Sequence, residues 1–328
     1  MVFIIILRDI NLYFKYFLPT EKNFPPSTAE IPLSQPFQTL KQEKISDRIV
    51  TAADISAGEP KQTAGSHPMN ETIHLNQPIA LSIAPEQTGS ETALRLQRTF
   101  GASSADDCPL TLRLDEEGLS LHTEGQVLRG DFTHMLTRLK QSSLSQELLV
   151  RAAKLKGATE PLTALDATAG LGEDSLILAA AGFQVKLYER NPVVYELLQD
   201  TVQRAAELPE LAEIVGRMQV FHGDSIHAMG QLESPPDVIL LDPMFPARQK
   251  SALVKKKLQM IQKLELPCLD ERDLMLAAME AKPKKLIIKR PPKGPYLADF
   301  KPDYSITGKA VRFDCIVSPY DKIKKLKP

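Results

Sequence analysis

From Pro161 onward, short apolar runs alternate with longer stretches whose apolar residues recur at helical spacing. Leu162–Asp166, Val185–Glu189, Met218–His222, Val238–Asp242 and Lys285–Lys289 read as strands. Helices are predicted over 173–181, after a glycine turn, and from Pro192 to about Glu207. Repeated strand–helix units predict an α/β fold, a doubly wound parallel sheet. Its ligand site belongs at the carboxyl ends of the strands. Two last runs, Tyr304–Ile306 and Val311–Val317, suit a terminal hairpin.

Upstream, Pro78 to Gly130 reads as a small α+β unit. Ile79–Ile83 is a strand and Thr92–Phe100 a helix. Leu110–Leu114 and Leu119–His122 alternate at period two around the turn signal Asp115-Glu-Glu-Gly118. Residues 131–157 read as helical, broken near Ser142-Ser143 and ending at Gly157 behind Lys154 and Lys156. Residues 19–68, rich in Pro, Ser, Thr, Gln and Ala, read as disordered. The apolar run Val2–Leu7 stops at Arg8 and Asp9, far below the roughly 18–20 residues that span a bilayer. It has neither the basic flank nor the small-residue cleavage site of a signal peptide. The expected organisation is 1–68, a disordered extension or a misassigned start ahead of Met69; 69–157, a small α+β subdomain; 158–320, the main domain; and 321–328, a basic tail.

Charge changes this picture. The 328 residues carry a net −1, but residues 1–246 carry −12 and residues 247–328 carry +11. Such asymmetry points to a polyanionic partner for the C-terminal quarter, or to a solvated lysine-rich surface. Composition is otherwise globular, with 43% hydrophobic and 25% charged residues. That excludes a wholly disordered chain, a collagen and a multi-span membrane protein. Cys108, Cys268 and Cys315 lie far apart, so neither a disulfide framework nor a cysteine metal site is expected, and a reducing, cytoplasmic setting is the default. The six histidines show no ligand spacing, and no metal is expected.

The first main strand runs into Asp166-Ala-Thr-Ala-Gly170-Leu-Gly172-Glu173-Asp174. The glycines allow a tight turn and close approach to a ligand. Ser175 could just serve as the third small residue of a dinucleotide fingerprint. Against that reading, Glu173 and Asp174 occupy the helix N-terminus where a pyrophosphate would sit, and Asp166 precedes the turn. Carboxylates there suit a cationic ligand without phosphates, S-adenosyl-L-methionine, which carries a sulfonium and an amino group. Glu189, ending the second strand, can accept from ribose hydroxyls. Asp224-Ser225, after the third, can accept from the adenine amino group. Each alone is also an ordinary helix cap or loop residue.

Asp242-Pro243-Met244-Phe245-Pro246 ends the fourth strand. It resembles the Asp/Asn-Pro-Pro-aromatic loop of methyltransferases acting on planar exocyclic nitrogens, with Met244 in place of the second proline. Such an amine is conjugated with its ring and is a poor nucleophile. Asp242 and the Pro243 carbonyl can accept its two N–H bonds and draw the lone pair out of conjugation. Phe245 can stack on a flipped base. Catalysis is then mainly positioning for in-line displacement. Arg248, Lys250, Lys255, Lys256 and Lys257 follow, and Lys289-Arg290 closes the fifth strand on the same edge. Together they are expected to form a phosphate-binding rim for RNA, against the plain alternative of a soluble surface.

In combination, Asp166–Gly172, Glu189-Arg190-Asn191-Pro192-Val193-Val194, Asp242–Pro246 with Lys250-Ser-Ala-Leu-Val-Lys255, and Lys289-Arg290-Pro291 are similar to one bacterial family. It is the small-subunit (16S) ribosomal RNA guanine-N2 methyltransferases, and the resemblance covers roughly Pro78 to Pro319. It implies a class I methyltransferase, Rossmann-like fold with a small N-terminal subdomain. It also implies S-adenosylmethionine contacts at Glu173-Asp174, Glu189-Arg190, Asp224-Ser225 and Asp242. The implied partner is 16S ribosomal RNA or the small ribosomal subunit. Two alternatives stay open. One is methylation of another planar nitrogen, in DNA adenine or a protein glutamine amide. The other is a catalytically silent RNA-binding assembly protein.

Overall fold

Helix α1 (Glu91–Phe100) returns the chain between two parallel strands, β1 (Ile79–Ile83) and β2 (Leu110–Asp115). The Ser90 side chain accepts from the Ala93 N–H and starts α1; Gly101, at φ +71°, ends it. A tight turn carries β2 into antiparallel β3 (Gly118–Thr123), and β4 (Gln126–Leu128) completes a sheet of order β1-β2-β3-β4. The structure, a computed structural model, describes residues 79–101, 108–123, 125–157, 161–243, 264 and 270–325. All of these fall in one compact unit, Met69–Pro328. The expected 1–68 extension and residues 326–328 of the basic tail lie outside the described residues.

Residues 133–153 form four short pieces rather than one broken helix. A 3-10 turn (Thr133–Met135) leads into α2 (Leu136–Leu139), α3 (Gln141–Leu144) and α4 (Leu148–Ala153). The expected break at Ser142-Ser143 falls instead at Lys140, whose ψ of 139° is extended, and after Leu144. Phe132, Met135, Leu139, Leu144, Leu149, Ala152 and Ala153 are buried in the core of the larger sheet. The cores therefore divide near Gly130, earlier than the expected boundary at 157.

The larger sheet has seven strands: β5 (Leu162–Asp166), β6 (Phe183–Glu189), β7 (Met218–His222), β8 (Val238–Leu241), β9 (Lys285–Arg290), β10 (Tyr304–Thr307) and β11 (Arg312–Val317). Their order is β10-β11-β9-β8-β5-β6-β7. Strands β5 to β9 run parallel, and β11 inserts antiparallel between β9 and β10. All four residues of β8 are buried, as expected of a central strand covered on both faces. Helices α5 (Glu173–Ala180), α6 (Pro192–Ala206) and α7 (Pro209–Val215) share the core of one face with α4. Helices α8 (Ser225–Gly230) and α9 (Glu271–Glu280), with Leu297 and Phe300, pack on the other. Helix α6 also carries the small sheet: Val193, Val194 and Leu197 share a core with Leu112, Leu114, Leu119 and Leu121. Asp200 of α6 accepts from the Leu119 N–H at 3.0 Å, which pins β3 to the helix.

Strand order reverses between β5 and β8. In a doubly wound sheet this opens a crevice at the carboxyl ends. The expected site residues gather around it.

Candidate active site

The loop after β5 is shaped by two buried carboxylates. Asp166, 2% exposed, accepts from the Ser175 hydroxyl at 2.6 Å and the Thr168 N–H at 3.1 Å. Glu189, 4% exposed, accepts from the Gly170 N–H at 2.9 Å and the Asn191 N–H at 2.8 Å. Both carboxylates were expected to face a ligand directly. In the structure the protein's own donors engage both oxygens of each, so they also brace the glycine loop. A carboxylate oxygen can accept two hydrogen bonds, so bracing the loop does not bar a ligand contact.

The two glycines act differently. Gly170, at φ +54°, has open space where a side chain would project, leaving the loop accessible to a ligand. Gly172, at φ +79°, has no such space: a Cβ there would lie 2.6 Å from Leu198 and 3.3 Å from Phe132. It lets the loop pack on α6. Glu173 and Asp174 open α5, where carboxylates favour the helix dipole. Glu173 lies 3.4 Å from His134 Nε2.

Asp242 follows β8. Its backbone N–H donates to Thr168 Oγ1 at 2.6 Å, tying the Asp242-Pro243 turn to the loop after β5. Thr168 was not among the expected site residues, and no local pattern marks it. Lys289, expected on an RNA rim, carries its ammonium into the crevice, 2.5 Å from Asp174 Oδ2 and 3.0 Å from Asp242 Oδ2. Burial works against that ammonium, but Asp242 and Asp174 outweigh it and hold the lysine charged far above its ordinary range. The Asp242 side chain is 40% exposed, within reach of a substrate. Much of its surroundings are still protein. This desolvation pushes its carboxyl above the usual range, Lys289 opposes the shift, and Asp174 adds to it. Asp166 is pushed up to about 7, first by burial and further by Asp174 and Asp242, against the Ser175 and Thr168 hydrogen bonds.

Among the described residues, the crevice gathers the carboxylates of Asp166, Asp174 and Asp242 around the Lys289 ammonium. That donor set fits a cationic, phosphate-free ligand and disfavours a pyrophosphate. Further out, exposed Asp224 caps α8 by accepting from the Ile226 N–H at 2.8 Å, and Ser225 is buried. Exposed Arg190 places Nη1 4.0 Å from Asp270. Arg290 requires correction. Its side chain is 1% exposed and turned inward, near Glu271 at 3.6 Å, with Nε donating to the Pro295 carbonyl. It is a buried brace and not part of an exposed rim. Phe245, Arg248, Lys250, Lys255, Lys256 and Lys257 lie outside the described residues. Among the described residues, no helix is long and apolar enough to cross a membrane, and no group of three or more His, Cys, Asp or Glu could hold a metal.

Comparison with known proteins agrees with this chemistry. Residues 95–318 match the family model "Putative SAM-dependent methyltransferase". Ribosomal RNA small subunit methyltransferase J of Dechloromonas aromatica is 37% identical over 235 residues, covering 69% of this chain and 94% of that protein. The protein of the same name from Tolumonas auensis is 39% identical, covering 71% and 95%. The crystal structure of a SAM-dependent methyltransferase from Neisseria gonorrhoeae superposes with a TM-score of 0.58 at 28% identity, covering 76% of this chain and 99% of that one.

Proposed function

Because the chain belongs to this SAM-dependent methyltransferase family, we propose that it methylates the exocyclic N2 of a guanine in small-subunit ribosomal RNA. It has a class I, Rossmann-like fold, and its cofactor is S-adenosylmethionine. The observation that carries the reading is Asp242-Pro243 at the switch point, its carboxylate facing the crevice beside the glycine loop. The relatives' names supply the RNA.

The bound cofactor supplies an electrophilic methyl group. The chain's residues do the rest. Gly170 leaves room for the cofactor, Glu189 contacts its ribose and Asp224 its adenine. Asp242 accepts one N–H of the guanine amine and the Pro243 carbonyl accepts the other, so the nitrogen lone pair turns out of the ring. Phe245 stacks on the base. The amine proton leaves toward Asp242. Arg248, Lys250 and Lys255 to Lys257 meet phosphates. The same reading locates the protein in the cytoplasm with the ribosome.

The test is transfer of labelled methyl to small-subunit RNA lacking its own modifications, followed by digestion to nucleosides. Label in N2-methylguanosine supports the proposal. Label only in another nucleoside, in DNA, in protein or nowhere refutes it.

Asp166 adds a pH signature. Its folded value of about 7 lies above the ordinary 3.8, so the folded protein binds more protons than the unfolded chain between those limits. Asp166 therefore stabilises the ligand-free fold fully below about pH 4, and that contribution is lost as pH rises through 7. A cation in the crevice favours the carboxylate, so cofactor binding releases a proton. Affinity rises between pH 6 and 8, and calorimetry in buffers of different ionisation enthalpy reads the release. Asp166→Asn removes this pH dependence; an unchanged profile in that variant would assign it elsewhere.

A further inference from the structure

The loop leaving β9 is held more firmly than a connector requires. Pro291, Pro292 and Pro295 restrict its backbone, and the Gly294 N–H donates to the Pro291 carbonyl at 2.9 Å. Two arginines then grip its carbonyls from below. Arg290 Nε reaches Pro295 O at 3.1 Å, and Arg312 Nη1 reaches both Pro292 O and Gly294 O at 3.1 Å. Arg312 is itself fixed by a bidentate pair to buried Asp314, both bonds 2.8 Å. It pairs in register with Arg290, so the loop stands on the carboxyl edge of the sheet, two residues beyond Lys289.

This scaffold displays Tyr296. The Arg312 guanidinium lies 5.0 Å from the centre of its ring, yet the tyrosine remains 38% exposed. Lys293, at the loop tip, is exposed too. A rigid aromatic face backed by a cation, with a lysine beside it, is what an unpaired nucleotide strand needs: a stacking surface and a phosphate contact.

We propose that Pro291–Tyr296 is a docking platform for the RNA strand flanking the target guanine, with Tyr296 stacking on a neighbouring base and Lys293 meeting phosphate. The proposal rests on the RNA reading above and adds a contact outside the catalytic crevice. Because the loop is already rigid, little ordering cost is expected on binding.

The experiment measures methyl transfer to small-subunit RNA by the full chain and by Tyr296→Ala, Tyr296→Trp and Lys293→Ala. In Tyr296→Ala, KM for RNA rises about tenfold, as loss of one base stack predicts. The saturated rate, cofactor affinity and unfolding temperature stay at wild-type values. Tyr296→Trp keeps the wild-type KM. Lys293→Ala lowers the slope of log KM against log salt by about one. If Tyr296 only shields Arg312, the unfolding temperature drops and KM stays; that result, or an unchanged KM with an active wild type, overturns the platform. A wild-type enzyme inactive on RNA overturns the RNA reading itself, and the platform with it.

Discussion

Asp242→Ala lowers methyl transfer by about a thousandfold, while cofactor affinity falls less than tenfold. A group that acts only where charge develops in the transition state is worth two to three orders of magnitude. Asp242 has that role in the proposed reaction, because the amine becomes acidic as the methyl group arrives. The truncation leaves the surroundings in place. The backbone N–H of residue 242 still reaches Thr168 Oγ1, and Lys289 keeps its bond to Asp174. Cofactor binding therefore loses one carboxylate among several. Asp242→Asn retains an acceptor oxygen but no charge, so its rate lies between the two. Single-turnover transfer of labelled methyl, with calorimetry of cofactor binding on the same preparations, separates these effects. Full activity in Asp242→Ala would remove the residue from the mechanism.

Local pattern carried most of the larger sheet. Its strands were legible because each apolar run is as long as a strand and ends at a turn residue or carboxylate. The C-terminal hairpin was legible for the same reason. The placement of Asp166, Glu189, Asp224 and Asp242 at strand ends followed from topology alone. Their bonding did not. Whether a buried carboxylate faces a ligand or its own loop depends on donors such as Thr168, Ser175 and Asn191, whose positions follow from the turn geometry. The short helices between 136 and 153 defeated periodicity because each spans fewer than two turns and buries only one to three residues.

Lys289 and Arg290 show the limit most clearly. In sequence they are two adjacent cations at a strand end beside other cations, and a phosphate rim was the natural reading. In a strand, neighbouring side chains leave on opposite faces. One goes to Asp174 and Asp242, 115 and 47 positions away in the chain, and the other goes to the Pro295 carbonyl. The sign of a charge is visible in sequence, but its partner is set by the fold.

That partnership makes Lys289→Met the second decisive variant. Lys289 is the main cation opposing desolvation at Asp242, with a smaller contribution from Arg290. Without it, the Asp242 carboxyl rises further, and a protonated carboxyl no longer offers two acceptor oxygens. Methyl transfer at pH 7 falls about a hundredfold, an effect size typical of a mispositioned or misprotonated catalytic group. The rising limb of the pH–rate profile moves to higher pH, and activity recovers in part above it. Lys289→Arg keeps the charge and stays near the wild-type profile. Cofactor affinity supplies the control. Removing an ammonium makes the crevice more negative, so a cationic cofactor binds at least as well once the carboxylates ionise. A plain folding defect would lower affinity and rate together at every pH. If Lys289→Met kept the wild-type pH profile, the ion pair would be a structural tie with no part in readying Asp242.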